Sequence, residues 1–247
     1  MSLPVLAIAT VFIFLAAIVR GYSGFGFSLL AITSLSLVLK PAEIVPSIFM
    51  LEIAASLHLL PGIWREVHWR SLIPLIAGCL IATPLGVMLL ASVPPAPMQL
   101  ALSIFVLIAT YLLWCGFALK RIPGTSGAVA AGAAAGFGNG AFGIAGPPVI
   151  LFYFSSPAGH ALGRASLIAF FLATDLIGLP LLAREGLVTA DAFYRAVIFL
   201  IPLICGVWLG ARSFKTADPA QFRRMILFLL ACLAVLIAGK AIWALLQ

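Results

Sequence analysis

The sequence predicts an all-α polytopic membrane protein: eight hydrophobic segments in two four-segment repeats, the first segment of each repeat broken or re-entrant. Three observations carry this. Of 247 residues 64% are hydrophobic and 9% charged, with a mean hydropathy of +1.24, too little polar surface to coat a soluble globule. Six uninterrupted apolar runs approach or exceed the roughly 20 residues that cross a bilayer as a helix. Two further apolar stretches are interrupted in corresponding places by glycine-rich breaks, GYSGFGF from Gly21 to Phe27 and GFGNGAFGIAGPP from Gly136 to Pro148.

In chain order, a broken segment covers about residues 3 to 39, and spans follow at about 43 to 60, 71 to 91 and 98 to 119. A second broken segment at about 126 to 155 precedes spans at about 161 to 183, 192 to 211 and 225 to 245. An offset of 117 superposes Gly21 on Gly138, Phe25 on Phe142 and Gly26 on Gly143. Further on, Ile73 to Gly78 (IPLIAG) matches Ile201 to Gly206 (IPLICG), and Pro95-Ala96 matches Pro219-Ala220. The repeats are therefore placed at 1–119 and 126–247, joined by a linker at 120–125. Glycine and proline at this density are expected to stop a helix. Bare backbone in lipid is costly, so each break must be buried in protein or line a cavity, where a transporter puts its binding site.

Basic residues set the topology. If both broken segments are re-entrant, loops carrying Arg65, Arg70, Lys120, Arg121, Arg164, Arg212, Lys215, Arg223 and Arg224 share one side, leaving Lys40, Arg184, Arg195 and Lys240 on the other. The positive-inside rule makes the first side cytoplasmic and puts both termini outside; three true spans per half make the halves inverted copies. If the broken segments cross instead, there are eight conventional spans and the charge is nearly balanced. The net charge of +7 is read as topology and lipid headgroup contact, not nucleic-acid binding. The first positive charge, Arg20, follows the first apolar stretch, the wrong polarity for a cleaved signal peptide. Trp64 and Trp69 read as interface anchors, and the four single cysteines, Cys79, Cys115, Cys205 and Cys232, as small core residues.

Where a hairpin turns at membrane depth, the second limb begins with free N–H groups and the positive end of its dipole, which together favour an anion. The expected donors are Ser23, Gly24, Phe25 and Gly26 in the first half, and Asn139, Gly140, Ala141, Phe142 and Gly143 in the second, with the Ser23 hydroxyl and Asn139 amide as polar handles. Glycines serving only tight helix packing are the competing explanation. Arg20, immediately before the first break, suits an oxyanion, or else snorkels to the interface. Asp175, mid-segment, is a candidate for proton coupling or for the counter-charge of Arg20 in the empty state. Glu52 is a second proton-carrier candidate, since burying a carboxylate is costly and protonation removes the charge; a structural ion pair or a solvated residue facing a cavity are the alternatives. His58 reads as interfacial. The histidines have no metal-ligand spacing, and no cofactor motif is present.

The duplicated halves with their breaks, and above all the run from Gly136 to Val149, resemble the sulfite exporter TauE/SafE-like membrane permeases along essentially the whole chain. Matching positions are Gly21, Gly24 and Gly26, then Gly136, Gly138, Gly140, Gly143, Gly146, Pro147 and Pro148. The resemblance implies a prokaryotic inner-membrane transporter that moves sulfite, sulfoacetate or related organic anions, usually outwards.

The expected function is export of a small anion by alternating access around a midplane site at the two breaks. An anion channel shares every feature but alternation; an intramembrane enzyme using Asp175 and His58, or a structural subunit, is more remote. Expected partners are the anion, lipid and, if coupled, protons; apolar outer faces are compatible with a homo-oligomer.

Overall fold

Helix starts follow the sequence closely because proline sits where its missing N–H costs nothing. Pro41, Pro95 and Pro219 each occupy the first helical position. The computed structural model describes residues 3–115, 124–154, 160–213 and 219–246. Most of the predicted linker (120–123) lies outside the described residues, as do Lys120, Arg121 and Lys215. The helices are α1 (Leu3–Ser23), α2 (Phe27–Leu35), α3 (Pro41–Leu59), α4 (Trp69–Ser92), α5 (Pro95–Trp114), α6 (Thr125–Phe142), α7 (Gly146–Phe154), α8 (His160–Arg184), α9 (Ala190–Ser213) and α10 (Pro219–Leu245). Two short 3-10 turns, Leu60–Gly62 and Trp64–Glu66, link α3 to α4. Among the described residues all regular structure is helical.

Among the described residues seven helices, α1, α3, α4, α5, α8, α9 and α10, are long and apolar enough to cross a membrane, and the protein is an integral membrane protein. Each predicted span is one helix within the described residues, the stretch 116–119 of the third lying outside them; each broken segment is a long helix and a nine-residue one, α1 with α2 and α6 with α7. Internal prolines at 46, 74, 84, 180 and 202 interrupt none of them, as neighbouring helices in a bundle tolerate.

The breaks are narrower than expected. Helix α1 stops at Ser23 and α2 starts at Phe27; Gly24 and Gly26 adopt left-handed φ of 80° and 89°. At the second break only residues 143–145 are non-helical, and Gly143, at φ 69°, turns the chain. There the Gly143 N–H donates to the Asn139 carbonyl and the Ile144 N–H to that of Gly138, a glycine-based helix stop. The run Gly136 to Phe142, expected to stop a helix, continues one. Its glycines remove side chains instead: Gly132, Gly136 and Gly140 press α6 onto Leu75, Cys79 and Thr83 of α4, while Gly78 and Gly86 of α4 meet Val129 and Phe137 of α6. A Cβ at any of these positions would meet backbone, which is the small-residue packing of membrane helices. Helices α1 and α9 repeat the device, with Gly21 against Val207, and Gly206 and Gly210 against Phe14 and Ile18.

Helix α6 packs most extensively on α4, α1 on α9 and α5 on α10, with α3 and α8 crossing between them. The chain after each break runs to a definite end of the bundle. Beyond α2, the Ser36 carbonyl accepts from Gln99 near the start of α5, and the Leu37 carbonyl from Lys240 near the end of α10, each at 2.8 Å. At the end of α7, the Tyr153 hydroxyl lies 3.1 Å from that of Ser71 at the start of α4.

Trp64 and Trp69 pack together, ring centroids 4.6 Å apart, and are exposed beside the α3–α4 connection. Of the four cysteines only Cys79 is buried; Cys115, Cys205 and Cys232 are on outward surfaces, so the expectation of four core residues is corrected. Lipid is as apolar as a protein core, and hydropathy does not separate the two. Gly143→Ala is expected to lower stability by about 1–2 kcal/mol, because its φ disfavours a Cβ and that Cβ would meet Ile32 and Val45. A thermal midpoint in detergent equal to wild type would contradict this.

Candidate functional site

Arg20 is fully buried in the last turn of α1, not snorkelling to an interface. A cation there complements the negative end of the helix dipole. Its Nη2 lies 3.0 Å from Oε2 of Glu52, near the middle of α3, and donates to the Ser56 hydroxyl at 2.8 Å. Its guanidinium carbon stands 5.0 Å from the centre of the Phe171 ring on α8. Arg20 Nε and Nη1 are buried and have no hydrogen-bond partner among the described residues.

Glu52 joins the arginine to the helix start across the break. Its Oε1 accepts from the Ser28 N–H at 3.1 Å. The first turn of an α-helix carries N–H groups without intrahelical acceptors, so Phe27, Ser28 and Leu29 present the positive end of α2 to the carboxylate. These donors lie just beyond those read from the sequence. Ser23 and Gly24 complete α1 instead: the Gly24 N–H donates to the Arg20 carbonyl, and the Ser23 hydroxyl lies 2.7 Å from the Val19 carbonyl and 2.8 Å from that of Phe25. Phe25 and Gly26 form the turn itself, half-buried.

In the second half, Asn139, Gly140, Ala141 and Phe142 form the last turn of α6 and Gly143 its stop, so all five lie before the turn. The helix after the turn begins Gly146-Pro147-Pro148, where the prolines have no N–H to offer an anion. What this half contributes is side-chain chemistry: Asn139 Nδ2 donates to Oδ1 of Asp175 at 3.2 Å, both residues nearly fully buried. Asp175 is close enough to Glu52 and Arg20 for their charges to act on it. The counter-charge in contact with Arg20 is thus Glu52, with Asp175 behind it on the amide.

One participant was missed. Arg164 on α8, counted from sequence as a loop charge, donates from Nη2 to the Gly21 carbonyl at 3.1 Å, and its side chain lies against Gly24. Its charge reaches Arg20. No local pattern marks it; only the packing of α8 beside the first break does. Ser28 and Ser56 were missed for the same reason. The site therefore gathers two guanidinium groups, two carboxylates, one amide and one helix start from α1, α2, α3, α6 and α8.

The sequence profile of the sulfite exporter TauE/SafE family matches residues 9–237. The chain belongs to that family. The matched stretch includes all ten helices in whole or in part, and both breaks. A TauE/SafE relative described as a probable sulfite/organosulfonate exporter TauE, from Cupriavidus necator, is 27% identical over 210 residues, covering 82% of this chain and 80% of its own. No solved structure matches the chain. The TauE/SafE proteins are membrane exporters by description, and the resemblance read from the glycine motifs is confirmed.

Proposed function

We propose that the protein exports a small sulfur-containing oxyanion, sulfite or an organosulfonate such as sulfoacetate, by alternating access. The observation that carries this is Arg20: fully buried at a helix break, with two N–H-bearing nitrogens that have no hydrogen-bond partner among the described residues. A sulfonate has three oxygens for those donors and for the first turn of α2. The name of the Cupriavidus relative points to the same class of substrate.

Inverted repeats are the architecture that suits this reading. Helix α1 ends beside the Arg212 end of α9, and the segment after α2 meets the Lys240 end of α10, which supports a first hairpin that enters and leaves on the Lys40–Lys240 face. Helices α6 and α7 instead start and end by the beginning of α4, next to Arg70, which supports a second hairpin from the opposite face. The face with Arg65, Arg70, Arg212 and Arg224 is then cytoplasmic in a prokaryotic inner membrane, and both termini are outside. Rocking of the halves would open the site near Glu52 and Asp175 to each face in turn. An anion leaving a cell that is negative inside gains about 2.3 kcal/mol per charge per 100 mV, so uniport suffices; Glu52 and Asp175 remain available for a proton.

Flux from liposomes loaded with sulfite, sulfoacetate or thiosulfate tests the reading. Saturable efflux, accelerated by the same anion outside, is expected. Linear flux without that acceleration would make the protein a channel, and no flux of any of the three would remove the anion reading.

A further inference from the structure

We propose that Glu52 is a built-in surrogate anion: its carboxylate occupies the oxyanion position on Arg20 and α2 while the carrier is empty, and yields that position to the transported anion. The inference rests on the anion-carrier reading above and concerns how the empty protein completes its cycle.

The geometry supports it in three ways. The two carboxylate oxygens of Glu52 already engage the two kinds of donor that an incoming sulfonate needs, Oε2 facing Arg20 Nη2 at 3.0 Å and Oε1 accepting from the Ser28 N–H at 3.1 Å. An external oxyanion on the same donors therefore competes with Glu52. Next, Arg20 has no exposed surface and its other polar neighbour, Ser56, is neutral. An empty site lacking Glu52 would hold a buried cation with no counter-charge in contact, a state too costly to carry across the membrane. Finally, Arg20 Nε and Nη1 have no hydrogen-bond partner among the described residues, so an arriving anion can take a single N–H of the guanidinium before Glu52 leaves Nη2 and a two-point contact becomes open. Substitution of one anion for another then never leaves Arg20 bare.

The other charges facing the pair come from α8: Asp175, held by Asn139, and Arg164, held on the Gly21 carbonyl. Each is bound elsewhere, and neither touches the Ser28 donor that Glu52 takes.

A carrier that returns empty needs the surrogate; one that returns loaded does not. Net efflux of sulfoacetate into anion-free buffer and one-for-one exchange of labelled against unlabelled sulfoacetate separate the two, with thiosulfate as probe if the wild type exchanges it faster. The quantity compared is the ratio of net efflux to exchange, which cancels differences in the amount of folded protein. In Glu52→Gln that ratio is expected to fall at least tenfold, and in Glu52→Asp, which keeps the charge on a shorter stem, by less. An unchanged ratio in both variants overturns the surrogate role and leaves the carrier reading intact. If Glu52→Gln cannot be purified folded, Glu52→Asp decides by the same ratio. Absence of exchange in the wild type would instead overturn the carrier reading, and the surrogate with it.

Discussion

Replacing Gly136 with leucine is expected to abolish the folded protein. A Cβ at that position would sit 2.6 Å from the Cys79 carbonyl oxygen and 2.7 Å from its Cα, both backbone of α4. Flexible side chains can move aside, but backbone can yield only by separating α6 from α4 along its length. Overpacking a core costs about 1–3 kcal/mol when side chains absorb it, and here the most extensive helix pair of the fold must open, so the cost lies above that range. Gly239→Leu on α10, where nothing lies within 4 Å of a new Cβ, is the matched control. Monodisperse protein recovered in detergent should be near zero for the first and close to wild type for the second. Equal recovery would show that glycine at 136 serves no packing role.

Arg20→Gln is expected to remove anion-dependent thermal stabilisation and to lower flux by at least about 30-fold, corresponding to about 2 kcal/mol, the lower end for losing one partner of a buried charged pair. Glutamine keeps part of the volume and one N–H₂ group but neither the charge nor the fork. Arg20→Lys should recover little, because an ammonium is a single point of charge without the planar fork that holds Glu52 and Ser56 on one nitrogen while the others remain for an oxyanion. The protein should also be less stable by about 3–5 kcal/mol if Glu52 stays charged without its partner. Arg184→Gln, an exposed change at the far end of α8, should leave both measurements near wild type. Sulfite or sulfonate flux that persists in Arg20→Gln would place the binding site elsewhere.

Hydropathy and glycine spacing made the membrane class, the span positions and the two breaks legible, because a bilayer imposes length and apolarity locally. Arg20, Glu52, Asp175 and Asn139 stood out because a polar side chain in such a segment needs a reason. Their pairing was not legible: whether Glu52 or Asp175 meets Arg20 depends on the rotation and depth of α3 and α8, which no local pattern encodes. Arg164 was hidden by its place near a helix start, where an arginine ordinarily faces headgroups. Glycines 136, 138 and 140 misled about the extent of the second break. In lipid a glycine is as much a contact surface as a turn, and only the neighbouring helix shows which.

The glycine faces also impose a schedule on assembly. Helix α1 finds its principal partner in α9, which begins at Ala190, so α1 is inserted long before the helix that completes its packing. At about 5–20 residues synthesised per second, α1 waits on the order of 10–30 s with the surface around Gly21 against lipid or an insertion factor. Helix α6 meets an α4 that is already in place. The early half of the chain is therefore the vulnerable one during biogenesis, and slow synthesis ahead of α9 prolongs its exposure to membrane proteases.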